Sequence, residues 1–320
     1  MDVIKGKTLF ITGGAGFIGT ALARRLVDDN RIIVYDSLRR DSMRDTNLRE
    51  HPNLTFIKGD VLDCDNLAGA MAGADIVVHM AAIAGIDTVT KNTVDTMKVN
   101  LIGTFNILEA ARELKLSRFV DFSTSEVFGA YCYKEEEDGI ARMGTVGEVR
   151  WTYAVSKLAG EHLLFAYLRQ YGLPGIAIRP FNVYGPGQVG EGAIHHFVKR
   201  AIADEEIIIH GDGDQIRSWC YIDDLLEGLL LCLTKEEAIG NVFNIGNPRG
   251  TVTIHGLART VVRVLKSGSP IRYVPKSYAD VELRIPTIEK AREILGFMPR
   301  VDLEEGILKT AEWYRNLASS

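Results

Sequence analysis

The sequence has no run of apolar residues that approaches the roughly 20 a membrane helix needs, so no membrane-bound role is expected. It has no excess of basic charge. In 320 residues, 37 Lys and Arg stand against 42 Asp and Glu, mixed throughout, for a net charge of −5. A nucleic-acid scaffold would show a basic face, so no nucleic-acid partner is expected. The four cysteines, Cys64, Cys132, Cys220 and Cys232, form no CxxC pair and have no histidine nearby at metal-binding spacing. They read as reduced thiols of a cytoplasmic protein. The one tight histidine pair, His195-His196, points its rings in different directions on either a helix or a strand, so no metal is expected. No basic flank, long apolar segment and cleavage site occur in the order of a signal peptide, and no repeat or low-complexity tract appears. The longest acidic run, Glu135-Glu136-Glu137-Asp138, reads as a solvated loop.

Short buried runs recur through the first half: Leu9-Phe10-Ile11, Ile32-Ile33-Val34-Tyr35, "NLTFIKGDV", "ADIVVHMAA", "RFVDFSTSE" and "GIAIRPFNVYGP". Each suits a strand covered on both faces. Helical patterns lie between most of them, notably "NLIGTFNILEAARELK" and "YAVSKLAGEHLLFAYLRQYG". Alternating strands and helices imply an α/β fold with a parallel sheet between helical layers. After Arg179 the rhythm changes. "FNVYGPGQVGEGAI" reads as a long loop, and "EEIIIHGDGDQIRSWCYIDDL" as a strand, a turn and a helix start capped by Asp223 or Asp224. "NVFNIGNPRGTVTI" reads as another strand. The remainder is expected to be mainly helical, with a short strand "IRYVP".

Gly13, Gly16 and Gly19 stand between the first strand and the first helix. A glycine pattern in that context reads as a Rossmann-type dinucleotide site. Gly13 permits the tight turn, Gly16 lets the backbone approach a pyrophosphate, and Gly19 allows close packing of helix on sheet. The helix N-terminus offers free N–H groups to the anion. Asp36, at the end of the second strand, can accept hydrogen bonds from a ribose diol and repels a 2′-phosphate, so NAD is expected over NADP. Arg39 and Arg40 follow and soften that preference. Asp60 and Val61 are placed at the adenine edge. The expected organisation is a doubly wound NAD-binding domain over 1–180, with 220–248 returning to it. A smaller α/β nucleotide-sugar-binding domain is expected from 181–219 and 249–320.

Tyr153 and Lys157 are one helical turn apart and share a face. An ammonium near a phenol favours the phenolate, which can take a proton from a substrate hydroxyl as hydride leaves the same carbon. Lys157 can also hold the nicotinamide ribose. Thr124 comes from the C-terminal end of the preceding parallel strand, where ligands sit in this architecture.

The chain resembles the extended short-chain dehydrogenases/reductases that act on nucleotide sugars, a family of sugar epimerases, 4,6-dehydratases and UDP-glucuronate decarboxylases. The resemblance rests on "TGGAGFIG", "HMAA", "VNLIGTFNILEAA", "STSEVFG", "YAVSK", "RPFNVYGP", "GDGDQIRSWCYIDD" and "FNIGNP", spread over nearly the whole chain. It implies a catalytic triad of Thr124, Tyr153 and Lys157, with Asn182 and Arg217 contacting the nucleotide diphosphate. A guanidinium grips phosphate oxygens in pairs, which suits Arg217. Phe17, Ile18 and Ala81 join the cofactor set on the same resemblance. It also implies a homodimer, paired through the two helices quoted above.

All three reactions begin with oxidation at C4 of the sugar. Ser125-Glu126 departs from the Ser-Val common in epimerases, and a pocket carboxylate without acid–base work is an unneeded desolvation cost. The usual dehydratase motif is Thr-Asp-Glu, and Ser125 replaces its acid. "VRWTYAVSK", with Arg150 and Trp151, and "DVELRIPTIEKA", with Arg284, are similar to the decarboxylase domain of a bacterial lipid A-modifying enzyme. A buried uronate carboxylate needs a cationic partner, which Arg284 would supply. Decarboxylation of UDP-glucuronate is therefore the leading expectation, with 4,6-dehydration and 4-epimerisation as alternatives. An NAD-binding regulator without catalysis is the alternative from another class, and the intact Thr124, Tyr153 and Lys157 speak against it.

Overall fold

The computed structural model describes residues 4–275 and 281–318. Its centre is a seven-stranded sheet of β1 (Thr8–Thr12), β2 (Arg31–Asp36), β3 (Leu54–Lys58), β4 (Ile76–His79), β5 (Arg118–Phe122), β6 (Gly175–Pro180) and β7 (Val242–Ile245). The order across the sheet is 3-2-1-4-5-6-7, and every pairing is parallel. The first six strands are the six apolar runs of the sequence, and the doubly wound α/β fold forms as expected.

Residue alternation explains the two helical layers. Leu9 and Ile11 face one side and pack with Leu22 of α1 (Phe17–Leu26). Phe10 faces the other, where Ile107 of α2 (Gly103–Arg112) and Leu164 of α3 (Thr152–Tyr171) cover it. All six of these side chains are fully buried, each contributing about 1.5–3 kcal/mol relative to exposure. With both faces covered, the strand ends and their loops are left to carry the site. The reversal of strand order between β1 and β4 opens a crevice at the C-terminal edge.

A second sheet of four short strands lies beside the first. Its order is Thr251–Thr253, Ile216–Ser218, Leu283–Ile285, Tyr131–Tyr133. Leu283–Ile285 pairs in parallel with both neighbours, setting Arg284 opposite Arg217 on one side and Cys132 on the other. This strand was not expected from the sequence. It is three residues long, too short to show a period. The strand at "IRYVP" does form, over Ile271–Val274, paired with Ile207–His210.

Three local readings are corrected. Within the acidic run, Glu137 is buried rather than solvated, and its carboxylate accepts the backbone N–H of Asn244 at 2.7 Å on the edge strand β7. Burial raises the pKa of that carboxyl. The helix after "WCYIDD" starts at Ile222 with Tyr221 as its N-cap and no side-chain cap. Asp224 instead accepts the N–H groups of Arg300 (2.8 Å) and Val301 (3.1 Å), tying the C-terminal segment to that helix. The supposed long loop after Arg179 contains a two-residue strand, Val183–Tyr184, parallel to Cys220–Tyr221. All four cysteines are free thiols, and only Cys64 is exposed.

Candidate active site

Two adjoining cavities open at the C-terminal edge of the sheet. The larger, about 490 Å³, is lined by Gly13, Gly16, Phe17, Ile18, Gly19, Asp36, Asp60, Val61, Ala81 and Tyr153, among others. Every residue expected at the cofactor is in this wall except Lys157. The second, about 390 Å³, is lined by Thr124, Ser125, Glu126, Arg150, Asn182 and Arg217. Tyr153 and Asn182 belong to both walls. The cofactor candidates and the reacting groups are thus gathered on two sides of one tyrosine.

The glycine turn fits a dinucleotide. Gly13 has φ +67°, and a Cβ there would stand 2.7 Å from the Ala81 nitrogen on the loop after β4. A Cβ at Gly16 would meet only the Gly13 carbonyl, at 3.1 Å, and its missing side chain leaves the cavity open. At Gly19 a Cβ would lie 2.5 Å from the Gly14 Cα, so this glycine packs the helix on its own turn rather than on the sheet. No side chain caps the start of α1, leaving its dipole and N–H groups to an anion. Asp36 is buried and accepts the N–H of Ala15 (3.0 Å) and of Leu38 (2.7 Å). Burial raises its pKa against these bonds. Asp60 accepts the Leu62 N–H at 3.0 Å.

Arg40 lines the same cavity and is already engaged by the protein. It donates to the Ala84 carbonyl (2.9 Å) and the Thr88 hydroxyl (3.3 Å), and lies 3.5 Å from Glu191. Glu191 in turn accepts the N–H groups of Asp87 (3.0 Å) and Thr88 (3.1 Å). Asn100 has a similar tying role. Its amide bonds both backbone polar groups of Ile83 (2.7 and 3.0 Å) and the Ser156 hydroxyl (3.1 Å), joining a cavity loop to α3. The sequence reading passed over Asn100 and Glu191. Asn100 lay inside "VNLIGTFNILEAA", and its buried amide in a helical pattern was the available signal.

Thr124 ends the β5 segment and caps the short turn Ser125–Phe128 by accepting the Glu126 N–H at 3.2 Å. Glu126 is gripped from two sides. One oxygen lies 2.6 Å from Arg150, and the other pairs with Arg284, which also donates to the Gly129 carbonyl at 2.6 Å. Burial alone would raise the pKa of Glu126, but the two guanidiniums hold it down to about 2. Arg150 lines the second cavity, whereas Arg284 stands behind it, 1% exposed. Arg217 lines the same cavity and donates to the Ile216 carbonyl at 3.0 Å and to that of Val281. Asn182, at φ +37°, donates to the Ser218 carbonyl at 2.9 Å.

One electrostatic expectation reverses. Tyr153 does not have a lowered pKa. Burial, followed by Glu126, pushes it up to about 12, against the hydrogen bond to Thr124. Lys157 is 1% exposed and lies 3.5 Å from the carboxylate of Asp121, a residue the sequence reading did not weigh. Its charge faces that carboxylate from inside the protein.

The family model of the NAD-dependent epimerases/dehydratases matches residues 9–246. The chain belongs to this family. Its cofactor is accordingly NAD, which the glycine turn, Asp36 and the open start of α1 suit. The chain is 31% identical over 325 residues to the UDP-N-acetyl-alpha-D-glucosaminuronate decarboxylase of Bacillus cytotoxicus, covering 97% of this chain and 98% of that one. It is 34% identical over 315 residues to UDP-glucuronic acid decarboxylase 6 of Arabidopsis thaliana, with 96% and 88% covered. Among solved structures it resembles the UDP-glucuronic acid 4-epimerase of Bacillus cereus in complex with UDP-glucuronic acid and NAD. The TM-score is 0.88 at 28% identity, with 97% and 99% covered. Among the described residues no helix is long and apolar enough to cross a membrane.

Proposed function

We propose that this member of the family oxidises a nucleotide-diphosphate sugar at C4 and decarboxylates UDP-glucuronate through the 4-keto sugar. The observation that carries the reading is Glu126, clamped between Arg150 and Arg284 where Tyr153 meets the second cavity. Two guanidiniums against one carboxylate leave net positive charge beside the sugar position, which suits a C6 carboxylate. A carboxylate held near pKa 2 is a weak base. Dehydration needs a base at C5 and an acid for the C6 hydroxyl; Glu126 serves poorly as the first, and Ser125 is not an acid. Decarboxylation needs neither.

Tyr153 takes the proton of the C4 hydroxyl, with Thr124 orienting the phenol. Bound NAD supplies the acceptor for the C4 hydride, and its positive ring favours the phenolate. The C4 ketone then stands β to the carboxylate. The C5–C6 bond breaks, its electron pair enters the C4 enolate, and carbon dioxide leaves. A proton added at C5 restores the ketone, and return of the hydride to C4 with the proton held by Tyr153 would give back the C4 hydroxyl, so that the net change is loss of one carbon dioxide. Arg217 and Asn182, both on the cavity wall, would hold the diphosphate. The same charge pattern would serve 4-epimerisation of a uronate, the activity named for the Bacillus cereus structure, and this is the second reading. Mass spectrometry of purified protein with NAD and UDP-glucuronate decides between them. The expected product is lighter by one carbon dioxide; equal mass with a new chromatographic peak means epimerisation, and unchanged substrate rejects both.

The reading includes a homodimer in the cytoplasm, where four free thiols fit. Ile102 and Phe105 of the α2 region and Val155 and Tyr171 of α3 are exposed, although the opposite sides of these helices are buried in the core. These exposed apolar side chains lie among polar ones on the outer faces, where a second copy of the same helices would cover them. Sedimentation at micromolar concentration is expected to give a dimer, and Phe105→Glu a monomer. A monomeric parent protein would reject the pairing.

A further inference from the structure

Glu191 takes no part in the proposed reaction, yet it joins three separate parts of the larger cavity's wall. Arg40 comes from the chain after β2, and Ala84 and Thr88 from the chain after β4. Gln188, Val189 and Glu191 come from residues 185–192, just ahead of the helix Ala193–Ile202. The three parts meet at the Glu191 carboxylate. One oxygen accepts the N–H and the hydroxyl of Thr88 (3.1 and 2.6 Å) and lies 3.5 Å from Arg40. The other accepts the Asp87 N–H at 3.0 Å. The Thr88 hydroxyl also accepts from Arg40 at 3.3 Å, so guanidinium, hydroxyl and carboxylate form one connected tie.

The tie is seated closely on both sides. Gly85 has φ +100°, and a Cβ there would stand 2.6 Å from a Glu191 oxygen. Gly190 has φ +85°, and a Cβ there would stand 2.8 Å from Arg40 Nε. Each charged side chain therefore rests on bare backbone of an opposing segment. Residues 185–192 are otherwise poorly suited to hold a shape, since four of the eight are glycine and glycine loses the most freedom on ordering. Gln188 anchors their middle: its carbonyl accepts the Tyr314 hydroxyl at 2.8 Å, and its amide donates to the Val183 carbonyl at 3.3 Å. Glu191 supplies the tie from there to the loops of the central sheet. The Arg40 and Glu191 side chains keep exposures of 35% and 29%. Such a pair adds little to global stability but bears directly on local opening.

We propose that Glu191 is a positioning residue that holds residues 185–192 against the cofactor and keeps NADH in place between the two hydride transfers. In the proposed reaction the hydride taken from C4 returns to C4. Loss of NADH after the first transfer would leave the sugar as the ketone. The tie also reaches the sugar side. Gly85, Ile86 and Val89, in the segment that Glu191 fixes, line the second cavity, so one carboxylate steadies walls of both.

This role rests on NAD as the hydride acceptor, and its test needs no sugar. Protein loaded with NADH is mixed with excess NAD, and the decay of bound-NADH fluorescence gives the off-rate. Glu191→Gln should raise that rate about tenfold or more, because losing a charge-assisted bond acts chiefly on dissociation. Thr88→Val keeps the side-chain shape and removes the bridging hydroxyl. It should raise the rate by less, and it carries the test if Glu191→Gln fails to fold. Glu304→Gln breaks an exposed pair with Arg263 outside both cavity walls and should leave the rate unchanged. During turnover the parent should keep its NADH, whereas Glu191→Gln should release NADH and the 4-keto sugar into solution. Equal off-rates in the parent and both cavity variants would overturn the proposal. So would an equal rise in Glu304→Gln, or a parent off-rate faster than its own turnover. A raised off-rate without turnover on UDP-glucuronate would reject the decarboxylase reading and keep the role of Glu191.

Discussion

Tyr153→Phe is expected to lower turnover by about a hundred- to ten-thousandfold and to leave NAD bound. The hydroxyl is the only atom removed. The ring remains between the two cavities, and the glycine turn, Asp36 and Ala81 stay in place on the far side of the larger one. The prediction holds for decarboxylation and for epimerisation, because both begin with proton removal at C4. It also separates an enzyme from a protein that merely binds NAD. Stopped-flow absorbance of NADH formation reads the first half of the reaction, and equilibrium dialysis reads cofactor binding. Undiminished turnover in a confirmed activity would remove Tyr153 from the mechanism. Loss of both signals together would mean that the hydroxyl holds the cofactor site rather than the proton.

The second large effect is on stability. Arg284→Ala should cost about 3–5 kcal/mol, the usual result of removing one partner of a buried ion pair. Among the described residues Arg284 is the largest fully buried side chain. Its loss leaves Glu126 with Arg150 alone and takes the donor from the Gly129 carbonyl. Combining Arg284→Ala with Glu126→Gln in a double-mutant cycle isolates the coupling of that pair, the second change also taking the carboxylate from Arg150. The same clamp gives acid sensitivity. Glu126 titrates at about 2 in the folded protein and at about 4.3 unfolded. Its ionised form therefore contributes about 3 kcal/mol above the unfolded value, lost as pH falls through the folded one. Glu126→Gln should flatten the stability curve between about pH 5 and 2. Denaturant melts across that range read both effects. A loss below about 1 kcal/mol in Arg284→Ala would mean that the pair behaves as a surface contact.

The sequence by itself determined the sheet, the glycine turn and the pairing of Tyr153 with Lys157, because each is a local pattern. A doubly covered strand needs an unbroken apolar run, a dinucleotide turn needs glycines at set intervals, and two residues four apart share a helix face. Leu9-Phe10-Ile11, Gly13 to Gly19 and "YAVSK" carry these signals within a few residues. What only the tertiary structure decided was which charges meet. Glu126 and Arg284 are 158 residues apart in the chain. They meet because a three-residue strand enters the second sheet between Arg217 and Cys132. Glu137 looked solvated because its partner, the Asn244 N–H, belongs to a strand 107 residues on. Tyr153 was expected to be acidified by the lysine one helical turn on, but burial, then the carboxylate of Glu126, raises its pKa. Electrostatic energy depends on separation and on the exclusion of water, and neither is written in the spacing of residues along the chain.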